Sequence, residues 1–140
     1  MTPLQSVYDS FLLKINDFDI LNLTEEELEF EFLQLLKSSI ARSICIEDLK
    51  INVELKEFNR VLSFLEIDIL ALGMVVAWIE PKVNNIELFK MRLSSKDFQV
   101  YSQANHLKEI RRIKAQAMSD FSYWLGRYSE QKALERLKKS

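Results

Sequence analysis

The 140-residue sequence contains few of the residues that form tight turns. It has two glycines, Gly73 and Gly126, and two prolines, Pro3 and Pro81. Sandwiches and barrels of β-strands need many tight turns, which draw heavily on glycine and proline. The sequence therefore favours a mainly α-helical fold, in which a few loops join the helices.

Cysteine and histidine are equally scarce. Cys45 is the single cysteine, which excludes an intrachain disulfide and a thiolate metal cluster and is typical of a reducing compartment such as the cytoplasm. The single histidine, His106, has no cysteine near it in sequence, and we interpret it as a surface or capping residue. No zinc, phosphate-loop or nucleophile-elbow motif occurs. We expect no metal, no cofactor and no catalytic residue.

Long apolar runs are also missing. The longest, residues 67–79, is interrupted by Asp68, whereas a membrane span needs about 20 predominantly apolar residues. We therefore expect a core helix there, and no membrane partner.

The carboxylates of that helix do not form a catalytic pair. Glu66 and Asp68 are two residues apart, so on a helix they point about 160° away from each other. We expect Asp68 to form a structural ion pair with Arg60, Arg111 or Arg112.

Hydrophobic periodicity divides the chain into helical segments. We expect a bundle of four to five helices in a single domain, residues 1–128. The predicted helices cover about residues 3–15, 25–43, 57–80 and 102–126, with a shorter segment around 86–93. Residues 129–140 contain few apolar side chains, so we expect a tail that is weakly helical or is ordered by a partner.

The clearest helix start is at Thr24. Thr24 followed by Glu27 is a capping box, in which the hydroxyl accepts from an early backbone amide and the glutamate reaches back to the cap amide. The acidic residues that follow Thr24 also suit the positive end of the helix dipole. The sequence therefore predicts that a helix begins at residue 25.

Residues 49–56 alternate between apolar and polar side chains, which is the period of a half-buried strand. Such a strand would pair with residues 98–101 or with another chain by strand addition. An extended loop with a chance alternation is the other interpretation.

The predicted helix 57–80 is apolar on nearly all its faces and ends before Pro81, because proline disfavours helical conformation in the residue that precedes it. Gly73 and Ala77 lie one turn apart on a narrow stripe of this helix. Glycine inside a helix costs about 1 kcal/mol relative to alanine. We therefore expect a neighbouring backbone to pack closely against Gly73 and Ala77.

The charge is divided unequally along the chain. Residues 1–80 hold 15 acidic and 6 basic side chains, and residues 81–140 hold 6 acidic and 13 basic ones. Three interpretations remain open: acidic and basic helices packing within one molecule, an acidic surface meeting the basic surface of a neighbour, and nucleic-acid contact by the basic portion.

The last predicted helix carries the basic side chains that are candidates for an interface. Its apolar stripe includes Ile110, Phe121 and Trp124, and Gly126 ends or loosens it. The interface candidates lie largely off this stripe or in the tail: Lys108, Arg111, Arg112, Lys114, Arg127 and Arg136.

The order of these features resembles a known family. The residues that carry the resemblance are Thr24-Glu25-Glu26-Glu27-Leu28, Phe58-x-x-x-Leu62, Glu66-Ile67-x-Ile69-Leu70-Ala71-x-Gly73-Met74-Val75-x-x-Trp78, Ser95-Lys96-Asp97-Phe98, Tyr101-Ser102-x-Ala104-Asn105-x-Leu107-Lys108-Glu109 and Tyr128-Ser129. Together they are similar to the small helical head–tail connector, or neck, proteins of tailed bacteriophages of Gram-positive hosts.

The resemblance implies a non-enzymatic virion protein, made in the host cytoplasm and located in the neck. Its partners would be copies of itself in a ring, the portal protein above and a tail-side neck protein below, with non-specific contact to DNA in the channel. The alternative is a small cytosolic helical regulator that binds nucleic acid or a partner helix. Ring contacts join two different faces of each subunit, and a charge division of this kind supplies two such faces.

Overall fold

The computed structural model describes residues 1–15, 23–92 and 97–139, and within 85–92 and 97–107 it describes the helical backbone alone. These residues form four helices and one two-stranded sheet. The helices are α1 (Leu4–Leu13), α2 (Glu25–Arg42), α3 (Phe64–Arg92) and α4 (Asp97–Lys139). The strands are β1 (Ile51–Asn52) and β2 (Glu57–Phe58). The predicted mainly helical bundle with a short strand segment is confirmed.

Helix α1 begins at Leu4, one residue after the predicted first position at Pro3, because Pro3 has an extended backbone and is the N-cap. Its buried face consists of Leu4, Val7, Tyr8 and Phe11, spaced three or four residues apart. The residues before it are fixed by the second strand and the segment that follows, because Phe58 N–H donates to the Thr2 carbonyl at 2.8 Å and Thr2 Oγ1 accepts from Leu62 N–H at 2.8 Å.

Helix α2 starts where the capping box predicts. Thr24 Oγ1 accepts from Glu27 N–H at 3.2 Å. The glutamate side chain differs from the prediction, since Glu27 Oε1 accepts from the Thr24 hydroxyl at 3.2 Å rather than from the cap amide. The buried face of α2 contains Phe32, Leu35 and Leu36.

The alternating segment forms only two residues of strand. In an antiparallel pair, Ile51 lies opposite Phe58 and Asn52 opposite Glu57. Residues 53–56 form the turn between the strands, and Lys56 has a left-handed backbone, with φ of 54°. Pairing with residues 98–101 is wrong, because those residues belong to α4.

The predicted helix 57–80 is wrong at both ends. Residues 57–58 are the second strand, and α3 begins only at Phe64, where Ser63 and Glu66 exchange capping hydrogen bonds. At the other end α3 continues through Pro81 to Arg92. Proline has no N–H to donate to the carbonyl four residues earlier, so the helix loses one hydrogen bond there.

Packing against α4 accounts for the continuation through Pro81. Ile79 and Val83, on either side of the proline, are buried together with Ile110 of α4. Burying a side chain of this size contributes roughly 1.5–3 kcal/mol, so the contacts on both sides of Pro81 offset its local cost. No helix in the described ranges is both long and apolar enough to cross a membrane.

Helix α4 starts earlier and ends later than the predicted 102–126. It includes Gly126 without a break, so this glycine does not end the helix, and the predicted tail is helical to Lys139. Ile110, Ala117, Phe121 and Tyr128 are buried, as their spacing predicts. Trp124 departs from the predicted stripe and is 40% exposed.

Gly73 lies where α2, α3 and α4 meet. A Cβ atom at this position would lie 2.1 Å from Ser39 Oγ and 3.1 Å from Phe121 Cε2. Ser39 is itself fully buried and donates from Oγ to the Leu70 carbonyl at 2.6 Å. The close approach at Gly73 is made by one side chain of each neighbouring helix, rather than by the neighbouring backbone that the sequence predicts.

The two glycines give a matched test of this packing. We expect Gly73→Ala to lower the free energy of unfolding by about 1–3 kcal/mol, because an inserted methyl group must displace Ser39 or Phe121. The control is Gly126→Ala, where a Cβ meets nothing within 4 Å. That change should raise stability by up to about 1 kcal/mol through helix propensity. Urea denaturation monitored by circular dichroism measures both, and equal stability of the two variants would contradict the packing role.

Candidate interaction surfaces

A buried carboxylate organises the end of the molecule where α3 begins. Glu66 is 5% exposed and accepts hydrogen bonds from three residues, two before α3 and one on α4. Arg60 Nη1 and Nη2 donate to its two oxygens at 3.2 and 2.7 Å, and Ser63 N–H donates to Oε1 at 2.9 Å. The third donor is the hydroxyl of Tyr128, on α4, at 2.9 Å from Oε2. We call these four residues the Glu66 cluster.

The guanidinium of the Glu66 cluster also fixes the loop that follows α2. Besides binding Glu66, Arg60 donates to the backbone carbonyls of Glu47 and Asp48 at 3.0 and 3.3 Å. Asp48 has a left-handed backbone with φ of 55°, and its carboxylate accepts from the Asn59 amide at 3.1 Å. A planar guanidinium presents several donors in fixed directions, so Arg60 joins this loop to the start of α3.

The pKa values of Glu66 and Tyr128 both lie far from 7. Burial alone would raise the pKa of Glu66, but hydrogen bonds from Arg60, Ser63 and Tyr128 outweigh it and hold that pKa at about 2. Burial, with the adjacent Glu66 carboxylate, raises the pKa of Tyr128 to about 12. Glu66 is therefore charged and Tyr128 neutral at physiological pH. Neither group is poised to exchange a proton near pH 7.

A polar cleft of about 320 Å³ opens beside the Glu66 cluster. It is lined by Glu66 and Tyr128, by Cys45 and by charged side chains of the α4 end, including Lys132 and Arg136. Burial raises the pKa of the Cys45 thiol, which keeps the thiol protonated. Charges of both signs line the cleft, so its field favours no single sign of ligand.

A larger and more apolar depression lies on another part of the surface, between α1, α2 and the turn of the hairpin. We call this depression the α1–α2 groove, and its volume is about 650 Å³. Among the described residues, none lines both the groove and the polar cleft. Its floor includes Tyr8, Leu28 and Phe32, and its hairpin side carries Val53 and Leu55.

Exposure of the hairpin turn leaves the α1–α2 groove open on that side. Val53 is 54% and Leu55 66% exposed, although the alternating sequence predicts a half-buried strand. At the rim Glu29 forms an exposed ion pair with Lys56 at 2.8 Å, and Glu25 lies one turn before it. Burial, with the charge of Glu29, raises the pKa of Tyr8 to about 12.

The end of α4, residues 129–139, has no buried residue. We call this stretch the α4 tail. Its inner side is held by an exposed ion pair between Arg136 and Glu47. Leu134 and Leu137 are 58% and 71% exposed and lie three residues apart, so they share one face. Leu137 follows Tyr128 by nine residues, or two and a half turns, so this face points away from its own molecule.

The basic residues predicted as interface candidates do not form one patch. Lys108, Arg111 and Arg112 are exposed on the first half of α4, and Lys114 is half-buried. Arg127 and Arg136 are exposed nearer its end, about 28 and 42 Å from Lys108 at a rise of 1.5 Å per residue. Arg112 is paired with Glu109 of its own helix at 2.5 Å.

Several side-chain predictions have a definite outcome. Within the described residues Asp68 pairs with Lys14 rather than with an arginine: it accepts from Lys14 Nζ at 2.6 Å and is partly exposed, and Arg60 is engaged by Glu66. Ala77 is partly buried and packs against the main core. The side chain of His106 lies outside the described residues. Among the described residues, no group of three His, Cys, Asp or Glu is placed to hold a metal ion.

Sequence reasoning missed the Glu66 cluster, although one signal for it is present. Ser63-x-x-Glu66 is the same capping-box pattern as Thr24-x-x-Glu27 and marks the start of α3. Nothing in the sequence indicates that Tyr128, 62 residues away, donates to the same carboxylate.

Removing one hydroxyl tests the contribution of the Glu66 cluster. We expect Tyr128→Phe to lower the free energy of unfolding by about 1.5–3 kcal/mol, because the lost hydrogen bond goes to a buried charged group. Tyr123→Phe is the matched control, since Tyr123 is 57% exposed and its change should stay within about 0.5 kcal/mol. Thermal and urea unfolding measure both. Indistinguishable variants would show that the hydroxyl contributes nothing.

The depressed pKa of Glu66 predicts a pH dependence. A carboxylate whose pKa falls on folding stabilises the folded state above its unfolded value of 4.5, and this contribution is lost as pH falls toward about 2. We expect the wild type to be more stable than Glu66→Gln at pH 7. The difference should shrink steadily between pH 4.5 and 2. Urea unfolding at several pH values measures it, and a difference that is constant from pH 7 to 3 would contradict the assignment.

Comparison with known proteins assigns no family to this chain. No family model, no curated protein and no solved structure matches it. A proposal for its function therefore depends on its own residues, on the geometry above and on the resemblance of its sequence pattern.

Proposed function

We propose that this chain is a structural adaptor, and specifically a head–tail connector that forms a ring beneath the portal in the neck of a tailed bacteriophage. The observation that supports this most directly is the pair of unlike exposed surfaces. The α1–α2 groove is apolar with an acidic rim, and the α4 tail is apolar on one face and rich in lysine and arginine. Unlike faces on one subunit are what a cyclic assembly requires.

The charge distribution supports the same proposal. The first turn of α2 presents Glu25, Glu26 and Glu27 to solvent, whereas the last turn of α4 contains Arg136, Lys138 and Lys139. Complementary fields of this kind raise association rates and fix the orientation of partners more than they add affinity. The acidic first turn of α2 and the basic last turn of α4 thus supply two surfaces of opposite charge on one subunit.

The chemistry of the Glu66 cluster is that of a structural element. Each polar side-chain atom that is fully buried in the described residues has a hydrogen-bond partner. The carboxylate binds groups from the segment before α3 and from α4, and its oxygens are occupied by protein donors. A site in which charged groups are committed to each other joins elements of the fold and leaves little capacity for a substrate.

A nucleic-acid-binding regulator is the second candidate, and one observation favours it. Tyr123 and Trp124 are both exposed and lie edge to face at 5.1 Å, and Arg127 follows Trp124 by three residues, about one helical turn. Exposed aromatic rings beside basic side chains can stack on bases of single strands. The sequence predicts that Trp124 is buried, which would argue against this function. That prediction is wrong, because Trp124 is 40% exposed.

Charge reversal on α4 tests the connector proposal. We expect Arg111→Glu with Arg112→Glu to abolish ring formation on the portal of the same phage, because both side chains project from the first half of α4 toward solvent. Negative-stain microscopy with and without the portal measures assembly, and circular dichroism checks that the variant stays helical. Lys37→Glu with Lys50→Glu makes the same change in net charge elsewhere on the surface and should leave rings intact.

Two outcomes would contradict this proposal. Normal rings from the Arg111 and Arg112 variant would refute the assignment of these residues to a ring contact, and with it the connector proposal in this form. A wild-type chain that forms no ring with the portal but binds DNA with an affinity that falls steeply with salt would favour the regulator.

A further inference from the structure

We propose that the α4 tail of one copy docks in the α1–α2 groove of the next copy. This contact deepens the proposed function, because it specifies how neighbouring subunits of the ring would be joined. The groove needs an occupant with apolar side chains on one face of an extended or helical segment. The α4 tail is a described segment of this chain that has such a face and no buried residue of its own.

Helical spacing makes the tail suitable for a groove. Leu134 and Leu137 lie at i and i+3 with Ala133 beside them, which is how an amphipathic helix places its anchors in an apolar groove. The groove offers apolar surface of matching kind, from Tyr8 and Phe32 on its floor to the exposed Leu55 on its hairpin side. Burying two leucine side chains removes apolar surface from water, so these two anchors stabilise the contact.

Charge complementarity selects this occupant over an uncharged helix. Residues 129–139 carry four basic and two acidic side chains. Lys132 and Arg136 are paired within the molecule, and Lys138 and Lys139 lie in the last turn of α4. The groove rim carries Glu25 and Glu29, and Glu29 is paired across it with Lys56. An approaching basic tail therefore meets an excess of negative charge at the rim.

The contact must join two molecules rather than fold back within one. Tyr128 fixes the start of the tail on Glu66, and Arg136 holds its inner side on Glu47. Because that inner side is engaged, Leu137 faces outward. The α1–α2 groove lies elsewhere on the surface, since none of its described lining residues also lines the polar cleft beneath the tail. The contact is heterologous, since it uses different surfaces of the two copies.

Disulfide capture between full-length chains tests this contact without a portal. All variants carry Cys45→Ser, so that each chain has one thiol. One copy carries Leu55→Cys in the groove. A second copy, with a different tag, carries Leu137→Cys in the tail. Under mild oxidation we expect the mixed dimer of Leu55→Cys and Leu137→Cys to form at least about tenfold faster than the mixed dimer of Leu55→Cys and Ser122→Cys. A tenfold difference corresponds to about 1.4 kcal/mol. Ser122 is an exposed α4 residue before the tail and serves as the positional control.

A charge swap separates docking from random collision. Glu25→Lys with Glu29→Lys in the groove copy should reduce capture about tenfold, and adding Lys138→Glu with Lys139→Glu in the tail copy should restore it. Circular dichroism of each variant checks that α2 and α4 are retained. If Glu25→Lys with Glu29→Lys had simply unfolded the groove, Lys138→Glu with Lys139→Glu in the other copy would not restore capture.

The outcomes are distinct from those of the ring assay. The proposed docking would be overturned, even if rings form on a portal, by capture that is no faster than with Ser122→Cys. It would also be overturned if Leu55→Cys or Leu137→Cys preferentially formed dimers with itself. Rapid mixed capture by a chain that forms no ring on the portal would retain the docking contact and overturn the connector assignment instead.

Discussion

The carboxylate of Glu66 is the group on which the arrangement of this molecule depends. Placing a charge in a site that is 5% exposed costs several kcal/mol unless hydrogen bonds and an opposite charge compensate for it. The compensation comes from Arg60 before α3, from Ser63 at the cap of α3 and from Tyr128 on α4. Because all three must be in place together, the loop after α2, the start of α3 and the last third of α4 form one unit.

The helices could be predicted from the sequence wherever local signals agreed with packing. Thr24-x-x-Glu27 correctly fixes the start of α2, and the spacing of Ile110, Ala117, Phe121 and Tyr128 identifies the buried face of α4. The start of α3 was placed too early because apolar residues continue upstream into the second strand and obscure the cap at Ser63. Pro81 predicts too early an end for α3, because packing on both sides of the proline outweighs its local effect on the backbone.

The surfaces were harder to predict than the helices, because they are assembled from distant residues. Alternation in residues 49–56 correctly indicates extended structure near Ile51, but it cannot show that the chain turns at residues 53–56 and exposes Val53 and Leu55. The partner of Arg60 is likewise a matter of tertiary geometry, since Glu66 and Asp68 are equally available to it in sequence. The basic residues of α4 could be identified, but their distribution over several faces required the structure.

In the proposed contact, rigidity at the Glu66 cluster has a geometric consequence. A heterologous contact repeated between identical subunits closes into a ring only if each step turns by a fixed angle, and otherwise it extends into a filament. A tail joined by a flexible hinge would leave that angle undefined. Here the tail continues α4 without a break at Gly126 and is anchored at its start by Tyr128 and along its inner side by Arg136. The buried carboxylate would thus set the direction in which one subunit reaches the next.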